Sequence, residues 1–344
     1  MVPDAGEPAE TNVSVVEVGH PVPSVRSALA RGESTPRDST GLSRRRSGRG
    51  VVVMSTATAV GTYALVVLGS TVRVTNSGMG CPRWPLCYGR IGPVDQYHAL
   101  LEQSHRYLVV LVTVGVLSTA IAARRSVGRR AACVPAAIAT ALVLVQAGLG
   151  ALTVLAKNAP WTVAVHLAVG LVFFATTVVT AVVAVRSPRA AWSMRAVGRW
   201  GWAAIPITLA VVVGGTLVVA KGAGASCPSW PLCPASAPGV SAWQLLHRSL
   251  AGVAALSLVG LVRSRWRTEA SSRAWRAGGL TLLGLFVAVA AFGAASALSQ
   301  AAAGWQDAHL ALVALTWGLL VALVTALATS APRVGLPGIE RTVT

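Results

Sequence analysis

Four histidines and four cysteines recur in pairs along this chain. His105 and His166 are 61 residues apart and His247 and His309 are 62 apart, while Cys81 and Cys87 of CPRWPLC return 146 positions on as Cys227 and Cys233 of CPSWPLC. Two neutral imidazoles on opposite sides of an apolar slot are what a planar haem iron needs, with the spare ring nitrogens hydrogen-bonded to fix their orientation. Any one of these histidines, taken alone, reads as an interfacial hydrogen-bonding residue at a helix end. Four at repeated positions point instead to metal chemistry, because ionisable groups inside a membrane are costly and usually functional. A Cys2His2 zinc set in each half is a second metal reading, opposed by the six-residue spacing of the thiols.

The two copies differ beside the histidines. EQSHR places Glu102 three residues before His105, on the same helix face one turn away, whereas WQLLHR has Gln244 in the aligned slot. A carboxylate in one copy and an amide in the other suggest one reactive site and one electron-relay site; as a residue near a helix start, Glu102 also complements the helix dipole. Arg106 and Arg248, each adjacent to a histidine, are candidates to pair with haem propionates, or else interfacial side chains that snorkel. Asp307 reads as a residue of a helix terminus, and Cys133 as packing.

These residues must be carried by membrane helices. The 344-residue chain is 54% hydrophobic and 12% charged, and only four of its eleven acidic residues (Asp95, Glu102, Glu269, Asp307) lie between positions 51 and 339. Eight apolar stretches approach the ~20 residues a bilayer core requires, at about 51–73, 103–123, 132–155, 162–185, 200–220, 243–262, 277–298 and 307–328. The net charge of +18 reads as topology, with no nucleic-acid partner. Of 29 Lys and Arg, 22 fall in the tail 1–50, in alternate short gaps and in the C-terminal tail. The positive-inside rule makes that side cytoplasmic and turns both cysteine loops outward, where such thiol pairs close as disulfides. The tail 1–50 lacks apolar periodicity and is expected to be disordered and cytoplasmic. No cleavable secretory signal is visible and the six acidic residues of the tail argue against a mitochondrial transit peptide, leaving a bacterial plasma membrane as the expected location.

Everything past residue 50 is a tandem repeat. GSTVRVTNSGMG from Gly69 matches GTLVVAKGAGAS from Gly215, His105-Arg106 matches His247-Arg248, and HLAVGLVFF from His166 matches HLALVALTW from His309. The expected fold is all-α: eight transmembrane helices as two tandem four-helix bundles related by a pseudo-two-fold axis along the membrane normal. The expected divisions are the tail 1–50, bundles over 51–190 and 191–330, and a cytoplasmic tail 331–344.

The combined pattern over roughly residues 51–328, GSTVRVTNSGMGCPRWPLC, then Glu102, His105 and Arg106, then the HLA of His166, repeated as CPSWPLC, HR and HLA, resembles the haem A synthase family of cytochrome oxidase assembly proteins. The resemblance implies an enzyme, a membrane-bound oxidoreductase that oxidises the haem O methyl group to the formyl of haem A by successive hydroxylations, for delivery to a terminal oxidase. It implies that substrate haem O binds between His105 and His166 with Glu102 beside it, that cofactor haem b stays between His247 and His309, and that Cys81/Cys87 and Cys227/Cys233 match the family's paired cysteines. Haem O synthase, the terminal oxidase or its assembly factors, the lipid bilayer and a second copy of the chain are the partners such a role would bring. Two other classes stay open on the residues: a two-haem electron-transfer protein without an organic substrate, and a thiol–disulfide exchanger.

Overall fold

A computed structural model describes residues 39–81, 84–92, 95–186, 192–234, 239–266 and 272–329. The chain divides into two compact units, Met1–Ser43 and Arg44–Thr344, and the site described below lies in the second. Eight long helices are present among the described residues: α1 (Ser39–Val74), α2 (Tyr97–Arg125), α3 (Cys133–Leu155), α4 (Pro160–Val185), α5 (Met194–Ala220), α6 (Ala242–Trp266), α7 (Arg273–Leu298) and α8 (Ala303–Ala328). Short 3-10 turns at Val127–Ala132 and Gly239–Ser241 lead into α3 and α6. All eight are long and apolar enough to cross a bilayer, the expected outcome where no water is present to satisfy a non-helical backbone. This is an all-helical, multi-pass membrane protein.

Several boundaries differ from those read off hydropathy. α2 begins at Tyr97 rather than 103, and α8 at Ala303 rather than 307. Their polar first turns extend the helices beyond the apolar runs, bringing Glu102 inside α2 and placing Asp307 one turn inside α8 instead of at its first residue. α1 reaches back to Ser39, so residues 39–50, expected as irregular tail, continue the helix: the SRRRSGRG run contains no proline to stop it. The expectations for 1–38 and for the C-terminal tail from 330 onward fall outside the described residues. α5 is broken at Gly198 (φ 69°), a left-handed conformation that glycine adopts without steric cost, and its regular part starts beyond that residue.

The repeat is visible in the backbone. α1, α3, α5 and α7 each close on a six-residue N–H to C=O bond: Ser77 to Val72 at 2.8 Å, Asn158 to Thr153 at 2.7 Å, Ala223 to Val218 at 2.8 Å and Ala301 to Ser296 at 2.7 Å. Left-handed residues make the reversal, at Asn76, Lys157, Asn158, Gly222, Gln300 and Ala301. Such caps occupy carbonyls that a helix end otherwise leaves orphaned.

Helix α4 packs on α3 and α8, α8 packs on α7 and α5, and α6 packs on α5. The apolar windows of α4 and α8 are 50% and 44% buried, against 11–28% for the other six, so these two form the centre and the rest present their apolar faces to lipid. Leu171 and Phe174 of α4 meet Trp317, Leu320 and Val321 of α8 in the main core. The Trp317 indole N–H donates to the Leu171 carbonyl at 3.0 Å, and Gly318 lets α8 come close to the Phe174 ring.

Two cysteine loops close the same end of the helices. The Cys81 and Cys87 sulfurs are 1.97 Å apart and those of Cys227 and Cys233 are 2.12 Å apart, with Cα separations of 4.7 and 5.3 Å. Both Cα separations lie within the ordinary disulfide range.

Two outcomes follow from this packing. A Cβ at Gly318 would approach Phe174 to 2.8 Å, whereas one at Gly284 meets nothing within 4 Å. Gly318→Leu should therefore destabilise the detergent-solubilised protein by roughly 1–3 kcal/mol, the usual range for overpacking, and lower its thermal midpoint; Gly284→Leu should not. Equal midpoints for the two variants would remove the α4–α8 contact from the core. Intact-mass measurement after alkylation should show at most one label, on Cys133, without reductant and four more after reduction; five labels without reductant would exclude both disulfides.

Candidate functional site

Each of the four repeated histidines faces a glycine on the helix paired with its own. A Cβ built on Gly69 of α1 would lie 3.1 Å from His105 Nε2, one on Gly150 of α3 3.5 Å from His166 Cε1, one on Gly215 of α5 3.1 Å from His247 Cε1, and one on Gly293 of α7 2.9 Å from His309 Cε1. Three of these are tighter than ordinary contact, so the missing side chain is what admits the ring. The rings are half-buried. His105 and His166 lie within electrostatic reach of one another, as do His247 and His309, so each pair is brought together within its own half. Among the described residues, no group of three or more His, Cys, Asp or Glu is suited to a metal ion; the cysteines pair with each other, and the Cys2His2 alternative is not assembled.

The second pair is held by hydrogen bonds. His247 Nδ1 lies 3.0 Å from the Val211 carbonyl and His309 Nδ1 lies 2.9 Å from the Val289 carbonyl. A carbonyl only accepts, so Nδ1 carries the proton and Nε2 of each neutral ring keeps its lone pair, as a metal ligand requires. Val211 and Val289 stand four residues before Gly215 and Gly293. A helical carbonyl points toward the residue four further on, and a glycine there uncovers it for a second bond.

In the first half no equivalent bond is present among the described residues. His166 Nδ1 is buried without a partner. Residue 146, four before Gly150 and aligned with Val289, is a glutamine, whose Nε2 donates to the His166 carbonyl at 3.1 Å while its Oε1 is buried without a partner. Its amide fills space left by Gly170, where a Cβ would meet Gln146 Nε2 at 2.7 Å; the aligned residue of the second half is Val313.

Glu102 is 5% exposed and clasps the first cysteine loop. Its Oε2 accepts from the Cys81 backbone N–H at 2.8 Å and its Oε1 pairs with Arg106 Nη2 at 2.5 Å. Arg106 also donates to the Pro85 and Cys81 carbonyls at 3.0 and 3.1 Å. Gln244 and Arg248 repeat the clasp with reversed polarity: Gln244 Nε2 donates to the Ala223 and Gly224 carbonyls at 2.7 and 2.8 Å and its Oε1 accepts from Arg248 at 2.7 Å. Arg248 in turn reaches the carbonyls of Ser229, Pro231 and Cys227. Both arginines thus tie loop to helix, next to the histidines.

Other residues of this end escaped sequence reasoning. Thr71 of α1 donates to Asp307 Oδ2 of α8 at 2.7 Å, and Arg73 donates to Gln306 at 3.2 Å, so Asp307 joins the two halves rather than merely ending a helix. Asp307 aligns with Ala164 and Thr71 with Leu217, and a polar pair present in one copy only was the available signal. The four glycines were legible too, since Gly69 pairs with Gly215 and Gly150 with Gly293 at the offsets of the surrounding repeat.

The chain is similar to several known proteins. The chain is 31% identical over 278 residues to a heme A synthase of Symbiobacterium thermophilum, covering 74% of this chain and 88% of that protein. It is 32% identical over 190 residues to a heme A synthase of Geobacillus thermodenitrificans, covering 53% of this chain and 60% of the relative. A protoheme IX farnesyltransferase of Halobacterium salinarum is 32% identical over 138 residues, covering 40% of this chain and 30% of that protein. The match thus spans about 60% and 30% of the lengths of the last two relatives. The model of the cytochrome oxidase assembly protein family matches residues 52–321, which take in all four histidines, their glycines and both cysteine loops, and the chain belongs to that family.

Proposed function

We propose that this protein is a haem A synthase, an oxidoreductase that converts the methyl group of haem O to the formyl group of haem A by successive hydroxylations for a terminal oxidase. The observation that carries this reading is the unequal treatment of two otherwise repeated imidazole pairs. Nδ1–H bonds to Val211 and Val289 fix His247 and His309, as suits a resident cofactor; His166 has no such bond, as suits a molecule that must enter, turn over and leave. The names of the relatives, heme A synthase and protoheme IX farnesyltransferase, support a place in haem biosynthesis.

On this reading the halves are two tandem four-helix bundles, 51–190 and 191–330, related by a pseudo-two-fold axis along the membrane normal. The basic gaps between helices place both termini in the cytoplasm of a bacterial cell and the cysteine loops outside the plasma membrane. Haem O synthase and the oxidase or its assembly factors are the partners the pathway chemistry calls for, and a second copy of the chain is a further one.

The residues present fit the two haems. In the second half, the Nε2 lone pairs of His247 and His309 would hold the iron of haem b, and Gly215 and Gly293 give the rings their place beside the neighbouring helix. A haem b bound there supplies a one-electron store next to the substrate half. In the first half, His105 and His166 would hold the iron of the substrate haem O. Oxidation of the methyl carbon releases electrons, which pass to an acceptor outside this chain, and protons, one of which Glu102 takes up at its carboxylate, held in place by Arg106, already bound to it. The disulfide loops limit water at this end. Arg106 and Arg248, each next to a histidine, would be the residues to pair with propionates, in addition to their bonds to the loops.

Two measurements test the reading. His247→Ala and His309→Ala should each abolish a low-spin b-type absorption band in the purified protein, and a full band after both changes would refute the resident site. Glu102→Gln removes the charge but keeps an amide oxygen that can accept from the Cys81 N–H, so haem content should be retained while product falls by roughly 10²-fold, typical for a lost acid–base group. Gln244→Glu should leave product nearly unchanged. Pigment analysis of cells that make haem O is the assay, and wild-type haem A from Glu102→Gln would remove the carboxylate from the mechanism.

A further inference from the structure

The first half differs from the second by a matched pair of changes one helical turn from the histidine. Gln146 and Gly170 stand where the second half has Val289 and Val313. The amide replaces one valine and the empty position at Gly170 gives it room. Exchanging two apolar residues for a buried amide is costly unless its hydrogen bonds are made. Gln146 Nε2 makes one, to the His166 carbonyl, yet its Oε1 is buried with no partner. A buried acceptor left open in this way requires an explanation.

Gln146 lies four residues before Gly150, which faces the His166 ring, and Gly170 lies four after His166. Its amide is therefore at the edge of the first-half site, one turn further from the cysteine loops. We propose that Gln146 Oε1 accepts a hydrogen bond from a hydroxyl group on the periphery of the haem handled by the first half. This rests on the reading of that half as the haem O site. Haem O carries such a hydroxyl on its farnesylated side chain, and the methyl carbon acquires one when it is first hydroxylated; protohaem has neither. In the second half the two aligned side chains are valines, which carry no acceptor, and this makes Gln146 a specificity-determining residue between two otherwise similar sites.

The test uses the full-length protein and two variants: Gln146→Val, and Gln146→Val combined with Gly170→Val, which restores the packing of the second half and guards against a simple cavity effect. Purified protein is titrated with haem O and with protohaem, and pigments are extracted from cells that make haem O. If the acceptor serves the side-chain hydroxyl, both variants should lose about three- to tenfold in preference for haem O over protohaem, the size of one hydrogen bond. If it serves the hydroxymethyl intermediate, that preference should persist and the released intermediate should rise several-fold relative to haem A. Unchanged preference together with an unchanged intermediate-to-product ratio, with the second-half b-type band intact, would overturn the proposal. Should the wild-type protein make no haem A at all, the synthase reading fails by itself, and the comparison of haem O with protohaem binding still decides the role of Gln146.

Discussion

The close approach of paired helices at a glycine is the constraint on which the rest of this structure depends. A ring as large as imidazole does not fit between two helices at ordinary packing distance unless one of them lacks a side chain at the contact, and small residues are the usual means of bringing membrane helices together. Here the same glycine has a second effect. By leaving the carbonyl four residues earlier uncovered, it provides a hydrogen-bond acceptor inside an apolar layer where the alternative is an unsatisfied N–H. Gly215 with Val211, and Gly293 with Val289, show both effects together. His247 and His309 are thereby oriented by the helices they face, and the Nε2 of each keeps its lone pair.

Duplication supplied two copies of that device, and the differences between the copies are local. Backbone closure is the same in both halves, down to the left-handed residues after α3 and α7. What changes is polarity close to the first pair: Gln146 for valine, Gly170 for valine, Glu102 for glutamine. All three changes in the first half add polarity or space. Two of them, at 146 and 102, lie outside the α4–α8 core, whereas Val313, the counterpart of Gly170, packs against it. A separate polar contact, Thr71 with Asp307, ties α1 of the first half to α8 of the second, so the helix that faces His105 is bonded to the helix that carries His309.

Much of this was legible in the sequence. Eight apolar runs, the repeated cysteine loops and the four histidines required only hydropathy, spacing and alignment of the chain with itself. Helix ends were less legible, because polar residues such as Glu102 and Gln306 lie within helices that extend past the apolar layer, and a hydropathy window stops short of them. The role of Arg106 and Arg248 as loop anchors was not legible, since a residue's spacing from a histidine says nothing about carbonyls 17 to 25 positions away. The vacant bond at His166 could not be read at all: it depends on the relative placement of α3 and α4, although Gln146 in an apolar run was a visible sign that this half departs from its copy.

The clasp at the cysteine loops bears on what the carboxylate at position 102 is for. Both halves need the loop fixed to the helix that carries the first histidine of the pair, and both achieve it with an arginine four residues along from the clasping side chain. In the second half an amide suffices, because it donates to two loop carbonyls while accepting from Arg248. The loop is therefore held without a negative charge, and desolvating a carboxylate for the same purpose would add cost that the amide avoids. Glu102 offsets that cost with the Arg106 ion pair and the Cys81 N–H bond, but neither explains why the charge is present. A carboxylate where the other half manages with an amide, one turn from His105 and in the half whose histidine at 166 lacks its orienting bond, is the group to which the proposed function gives the proton chemistry of that half.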